Sequence, residues 1–94
     1  MIALAHGGRF PLGEVTITPN AAAKIPPAEV ASALRRHARG DWGELDPGDR
    51  TENERALERG SAIASIFTAK NGITFYIITE GDRSVTTVLL PEEF

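Results

Sequence analysis

The fold is decided by residues 62–90, which read AIASIFTAKNGITFYIITEGDRSVTTVLL. Runs of β-branched and aromatic residues alternate here with turn residues, which is the pattern of consecutive strands. Asn71-Gly72 predicts a two-residue hairpin loop, because a type I′ turn needs two residues with positive φ. Gly81 to Ser84 predicts a second turn. The stretch therefore predicts an antiparallel meander of three strands: Ala62–Ala69, Ile73–Thr79 and Val85–Leu90.

A two-residue loop at Asn71-Gly72 also fixes how the first two strands pair. The expected partners are Ile66 with Ile77, Thr68 with Phe75, and Ala64 with Thr79. The other side of the sheet then carries Phe67, Tyr76 and Ile78, so both faces are substantially apolar. We expect one face to take helices and the other to be covered by the N-terminal segment or by a second subunit.

The N-terminal part of the chain reads as a loose lead-in followed by a strand. Residues 1–12 contain two adjacent glycines and Pro11, which favours a loose segment. Residues 13–18 alternate polar and β-branched side chains, which predicts a strand that buries Val15 and Ile17. Thr18 and Pro19 then suit the cap and first residue of one or two helical turns.

Two longer helices are predicted between this strand and the meander. The first runs from Pro27 to Arg39, with an apolar stripe at Val30, Leu34 and Ala38. The second is capped by Asp46, runs to Arg59 and turns Ala56 and Leu57 towards the core. We therefore expect a single small α+β domain over residues 13–94, in the order β-α-α-α-β-β-β, with the meander packed on the helices.

Composition narrows the classes of function. The 94 residues carry a net charge of −3 and no cysteine, which excludes disulfides, thiolate catalysis and cysteine-ligated metals. An acidic domain is a poor match for a long nucleic acid, although Arg35, Arg36 and Arg39 form a small basic patch. No apolar run is long enough to span a bilayer, and the start lacks the pattern of a secretory signal. We expect a cytoplasmic protein with no membrane contact.

The densest polar cluster is residues 37–43, HARGDWG. Asp41 follows His37 by four residues, so its carboxylate is within reach of the imidazole, and such a pair orients a general base. A positively charged histidine also stabilises a helix C-terminus. Trp42, between two glycines, is typical of a loop residue whose side chain packs into the core. The catalytic and the structural interpretation both stay open.

A second cluster occupies the turn after residue 79. Asp82 and Ser84 close such turns through bonds to the backbone, and Arg83 at the tip suits a phosphate or carboxylate. The catalytic candidates are therefore His37, Asp41, Arg83 and Ser84, and the binding candidates are Asp41, Trp42, Glu80, Asp82 and Arg83. His6 and His37 are too far apart for a metal motif, and phosphate-binding glycine motifs are lacking, so we expect neither metal nor cofactor.

Three stretches carry a family resemblance: HARGDWG at 37–43, DRTENERALERG at 49–60 and ITEGDRSVTTVLLPEEF at 78–94. They resemble a family of short bacterial proteins encoded on plasmids and other mobile elements. Val15 to Ala23 matches more loosely, and Gly81 stands where an alanine is expected. The resemblance implies no established activity, but it implies a setting on mobile DNA, where small accessory proteins act on replication, transfer or host defence.

The favoured hypothesis is a small non-enzymatic accessory protein that binds a protein partner, with host restriction or CRISPR machinery among the targets, or that forms a homodimer. The loop Gly40–Gly43 and the turn Gly81–Ser84 are the expected recognition surface. One alternative is a metal-independent nuclease or toxin-like enzyme that uses His37, Asp41 and Arg83. Another is a nucleic-acid-binding regulator that uses the basic patch, Arg35, Arg36 and Arg39.

Overall fold

The computed structural model of the protein describes residues 8–94 and confirms the α+β order of one strand, three helices and three strands. The strands are β1 (Glu14–Ile17), β2 (Ile63–Thr68), β3 (Thr74–Thr79) and β4 (Val85–Leu89). The helices are α1 (Pro19–Lys24), α2 (Pro27–Ala38) and α3 (Pro47–Arg59), and a short 3₁₀ helix covers Pro91–Glu93.

Local capping signals place the helix boundaries where the sequence predicts them. The Thr18 hydroxyl accepts a hydrogen bond from the amide of Ala21 at 3.1 Å and so caps α1. The Asp46 carboxylate accepts from the amide of Asp49 at 2.8 Å and so caps α3. Each capping side chain is three residues from the amide that it bonds, so the sequence alone reveals both caps.

The four strands form one mixed sheet in the order β1-β4-β3-β2. The meander β2-β3-β4 is antiparallel as predicted, but β1 lies parallel to β4 at the far edge. After β1 the chain passes through all three helices before it enters the sheet at the opposite edge. Two hairpins then bring β4 back beside β1 in the same direction. The sheet is therefore not purely antiparallel.

The predicted register of the first hairpin is wrong by one residue. Ser65 pairs with Ile77 and Phe67 with Phe75, and the amide of Ala69 donates to the Ile73 carbonyl across a three-residue loop. Gly72 takes the positive φ of 88° that such a loop needs at its last position. The shift turns Phe67 inward beside Phe75, because a slip of one residue moves every side chain of a strand to the other face.

The core lies between the helices and one face of the sheet, which we call the inner face. Its strand side chains include Ile63, Phe67, Phe75, Ile77 and Val88, and helix residues such as Val30, Leu34 and Ala38 pack on them. Val15 and Ile17, predicted to be buried, are 38% and 40% exposed. Their strand is the sheet edge, beyond the reach of the helix layer.

The segment before β1 enters the fold from the helix side. Phe10 and Leu12 are buried members of the core, and the amide of Arg9 donates to the carbonyl of Ala38 at the end of α2. Residues 8–12 are therefore packed rather than loose, whereas residues 1–7 of the predicted lead-in lie outside the described residues. The described part of this segment does not cover the second face of the sheet.

Candidate functional site

His37 lies in the last turn of α2 and is fully buried against the inner face of the sheet. Its Nδ1 is 2.6 Å from the Ser65 hydroxyl on β2, and its Nε2 is 2.9 Å from the Thr79 hydroxyl on β3. The Thr79 hydroxyl is in turn 2.7 Å from that of Thr86 on β4. A polar network thus crosses the core and ties one helix to three strands.

Counting donors fixes the direction of this network. The Thr86 hydroxyl donates its one proton to the carbonyl of Leu12 at 2.7 Å, so it accepts from the Thr79 hydroxyl. Thr79 has then used its own proton and accepts from the Nε2–H of His37. Nδ1 carries no proton in this tautomer and accepts from Ser65. Four hydrogen bonds therefore run one way, from Ser65 to the Leu12 carbonyl.

Aromatic rings close the remaining space around the imidazole. Phe10 and Trp42 meet His37 edge-on, at centroid distances of 5.3 and 5.9 Å. The Trp42 side chain is itself buried and donates from its indole nitrogen to Glu54 at 3.2 Å. Arg9 holds the same carboxylate with two hydrogen bonds, which lowers the pKa of Glu54. These contacts seal His37 from solvent.

Burial, reinforced by the nearby positive charge of Arg83, lowers the pKa of His37 to about 4. The imidazole is therefore neutral at physiological pH, in agreement with the tautomer that the hydroxyl chain requires. A general base must come within hydrogen-bond reach of the proton it removes, and every ring nitrogen here already has a buried partner. The arrangement suits a structural role in the core.

Asp41 does not pair with His37. Its carboxylate accepts from the Arg36 guanidinium at 2.7 Å and from the amide of Gly43 at 3.1 Å. The Arg36 bond is the main reason that the pKa of Asp41 is lowered. Asp41 thus fixes the turn that carries Trp42 into the core, and Arg36 lies 4.7 Å above the ring of Phe67.

The candidates in the turn after β3 are engaged with the backbone and with one another. Arg83 has a positive φ of 63° and donates to the carbonyls of Ala56 and Ser61 at 3.0 and 2.7 Å. It thereby joins the turn to the end of α3. The Ser84 hydroxyl and amide both donate to Asp82, which lowers the pKa of that carboxyl. The neighbouring Glu80 is exposed and its carbonyl also accepts from Arg83.

The four catalytic candidates therefore do not form one hydrogen-bonded set. Within residues 8–94, no hydrogen bond or ion pair joins His37 to Asp41, Arg83 or Ser84. The sequence analysis missed the true partners of His37, because they lie 28 and 42 residues away along the chain. The available signal was the presence of polar residues at inner positions of apolar strands: Ser65, Thr79 and Thr86.

The remaining expectations concern the basic patch, metals and membranes. Arg35 and Arg36 on α2 and Arg39 directly after it are exposed, and Arg36 is paired with Asp41. The described part of the chain contains no cluster of three or more His, Asp or Glu residues able to hold a metal ion. None of its helices has the length and apolar character needed to cross a bilayer.

The side of the sheet opposite the helices, which we call the outer face, is open. Its half-buried residues include Ile66, Tyr76, Ile78, Val85 and Thr87. In residues 8–94 the 3₁₀ helix and Phe94 pack over it, with Phe94 edge-on to Tyr76 at 5.5 Å and itself 78% exposed, and Glu44 accepts a hydrogen bond from Thr68 at its β2 margin. Of the eleven strand residues on this face, only Glu14 is charged.

The two edges of the sheet also differ in whether other parts of the described chain cover them. At β2 the Ile66 backbone exchanges hydrogen bonds with Trp42 and Glu44, and the side-chain amide of Asn53 bonds both backbone groups of Ala64. The edge at β2 is therefore covered by loop and helix. The edge at β1 has no such contact from residues 8–94, and two of its side chains are the exposed Val15 and Ile17.

Comparison with protein-family models, with curated proteins and with solved structures gave no match to this chain. The resemblance to mobile-element proteins therefore stays a prediction, and the candidate site rests on the geometry of residues 8–94. That geometry has two distinct features: a sealed polar core around His37, and an outer face of the sheet that the helices do not cover.

Proposed function

We propose that the protein is a non-catalytic binding domain that takes a protein partner on the outer face of its sheet. The observation that carries the proposal is the chemistry of that face. It is apolar at Ile66, Tyr76, Ile78 and Phe94, and the helices and residues 8–12 pack on the other side of the sheet. Uncovered apolar patches on small domains mark interaction sites, because their burial releases ordered water.

The same chemistry favours a protein over a nucleic acid as the partner. Nucleic-acid affinity comes mostly from Lys and Arg side chains that neutralise phosphates. None of the outer-face strand residues is basic, and the net charge of the chain is −3. The exposed arginines of the described chain lie instead at Arg9 and on or directly after α2 and α3. An apolar surface on a partner protein complements the outer face better.

The binding surface that we propose differs from the one the sequence favours. Trp42 is 2% exposed, and Arg83 is held by backbone carbonyls, so neither side chain is available for recognition without disturbing the fold. The sealing of His37 likewise supports binding rather than the nuclease alternative. The mobile-element setting comes from the resemblance, and within it host restriction or CRISPR proteins are the partners that we would test first.

Site-specific photocrosslinking in living cells tests the proposal. A benzophenone amino acid is placed at Ile78 on the outer face or, as the matched control, at the exposed position Arg35 on α2. We expect a discrete protein adduct from position 78 and none from position 35. Equal adducts at both positions, or adducts to nucleic acid alone, would contradict the proposal.

The trapped protein then serves as the ligand for purified variants. Ile78→Arg places a charge in the centre of the outer face, and Ser32→Arg places the same charge on the exposed side of α2. We expect Ile78→Arg to weaken binding roughly tenfold or more, because the interface would bury an unpaired charge. Ser32→Arg should bind as the parent chain does. Equal affinities for the two variants would contradict the proposal.

A further inference from the structure

The open edge at β1 presents a specific set of backbone groups. The amides of Glu14 and Thr18 donate inward, to the carbonyls of Ser84 and Val88. In a parallel pair, alternate residues bond the neighbouring strand. The amides and carbonyls of Val15 and Ile17 therefore point away from β4, towards the open edge. Residues 8–94 provide no hydrogen-bond partner for them.

The ends of β1 restrict how another strand can add to it. Gly13, before the strand, has a positive φ of 65°, and Pro19, after it, has no amide hydrogen. An added strand thus finds two usable positions, Val15 and Ile17. They are separated by Thr16, whose backbone groups face β4.

This edge is complementary to itself in one antiparallel register. If Thr16 of one chain lies opposite Thr16 of another, Val15 of each chain faces Ile17 of the other, and these pairs exchange four backbone hydrogen bonds. Centring on Val15 would pair Ile17 with the turned Gly13, and centring on Ile17 would pair Val15 with Pro19. Each of those registers keeps only the central pair of bonds.

The side chains fit the same register. Val15 and Ile17 project on the inner side of the sheet, at the margin that the helices leave bare, and they would cover each other across the two-fold axis. Proteins protect sheet edges with lysine, proline or a covering loop, as β2 is covered here. β1 has none of these within its four residues, and Glu14 is its only charge.

We infer that two copies of the chain associate through their β1 edges, with Thr16 opposite Thr16, to form a continuous eight-stranded sheet. The association uses the strand edge and leaves the outer face open, so it does not depend on the proposed binding of a partner. In such a dimer the outer faces of the two copies lie side by side in one continuous sheet.

Cysteine scanning of β1 tests both the dimer and its register, because the chain has no cysteine of its own. Opposed residues of a non-hydrogen-bonded pair have Cα atoms about 4.5 Å apart, which suits a disulfide. Thr16→Cys should therefore form a covalent dimer under mild oxidation. In Val15→Cys or Ile17→Cys the two equivalent residues lie about 9 Å apart, from the strand rise and spacing, which is too far to bridge.

Light scattering on the reduced proteins supplies the second measurement. We expect twice the mass of one chain for the parent protein, and one chain mass for Ile17→Lys, which adds a charge to the edge. Ile78→Arg, on the outer face, should remain dimeric, which separates this inference from the proposed function. A monomeric parent protein would overturn the dimer. Equal crosslinking of all three cysteine variants would overturn the register.

Discussion

At the scale of single residues, His37 shows how a polar group becomes part of a core. Both ring nitrogens have hydroxyl partners, and no buried side-chain nitrogen or oxygen in the described chain lacks one. A fully satisfied network of this kind specifies one arrangement of helix and strands, because any slip leaves a buried group unpaired. The sequence identifies His37 as unusual, but its partners come from strands whose register local patterns do not fix.

The lowered pKa of His37 predicts that the domain loses stability in mild acid. An unfolded chain takes up a proton at His37 near pH 6.5, whereas the folded chain resists protonation down to about pH 4. The stability is therefore complete above pH 6.5 and falls as the pH drops towards 4, by about 3 kcal/mol in total. Urea unfolding of the parent chain and of His37→Gln across this range measures the difference.

The glutamine variant is the control, because it keeps every carboxylate and His6 while removing the buried imidazole. Its unfolding free energy should vary less with pH than that of the parent chain by the stated amount. If the two curves run parallel between pH 6.5 and 4, the imidazole titrates normally and the sealed environment described here is incorrect.

The direction of the hydroxyl chain predicts unequal costs for removing its members. Ser65→Ala leaves one acceptor, Nδ1 of His37, without a partner and should cost about 1–2 kcal/mol of unfolding free energy. Thr79→Val removes a group that makes two bonds and should cost about 2–3 kcal/mol. Thr68→Val, at an exposed threonine pair, should change stability by less than about 0.5 kcal/mol.

Chemical denaturation of the three variants at pH 7 measures these costs. A Thr79→Val protein as stable as Thr68→Val would mean that the buried network contributes nothing to the fold.

At the scale of elements, the sequence predicts what local signals determine. The capping residues of α1 and α3 act within one turn of helix, so both boundaries follow from short motifs. The register of the β2-β3 hairpin does not, because Asn71-Gly72 fits a two-residue and a three-residue loop alike. Packing decides between them, since only the observed register turns both Phe67 and Phe75 into the core.

Two glycines with positive φ predict a contrast between a loop and a strand edge. Gly72 has open space around it, so Gly72→Ala introduces backbone strain but no steric clash. It should lower the free energy of unfolding by about 1–2 kcal/mol. An alanine Cβ at Gly43 would lie 1.9 Å from the carbonyl oxygen of Ile66, in addition to the same strain. Gly43→Ala should therefore lower the free energy of unfolding by at least about 3 kcal/mol. It should also break the backbone hydrogen bonds that join Ile66 to Trp42 and Glu44 at the β2 edge.

Urea unfolding ranks the two alanine variants by stability, and hydrogen exchange at the Ile66 amide reports whether its hydrogen bond to Trp42 is kept. Equal stabilities, with the Ile66 amide equally protected in both, would show that the Trp42–Glu44 segment does not hold the β2 edge.

At the scale of the whole molecule, the sequence predicts a sheet with two apolar faces and leaves the cover of the second face open. The structure places the helices and residues 8–12 on the inner side, so neither of them covers the outer face. The parallel placement of β1 at the edge also could not be read from the sequence. It depends on the path through the helices, which leads to the opposite edge at β2, and on the two hairpins that then bring β4 beside β1.

The most direct measurement compares the dissociation constants of two variants for the partner trapped at position 78. Ile78→Arg changes the outer face and leaves the core intact, whereas His37→Gln changes the core and leaves the outer face intact. A binding domain that uses the outer face predicts weakened binding by Ile78→Arg, and parental affinity in His37→Gln once circular dichroism shows it to be folded. Loss of binding in folded His37→Gln, with parental affinity in Ile78→Arg, would place function at the histidine and contradict the proposal.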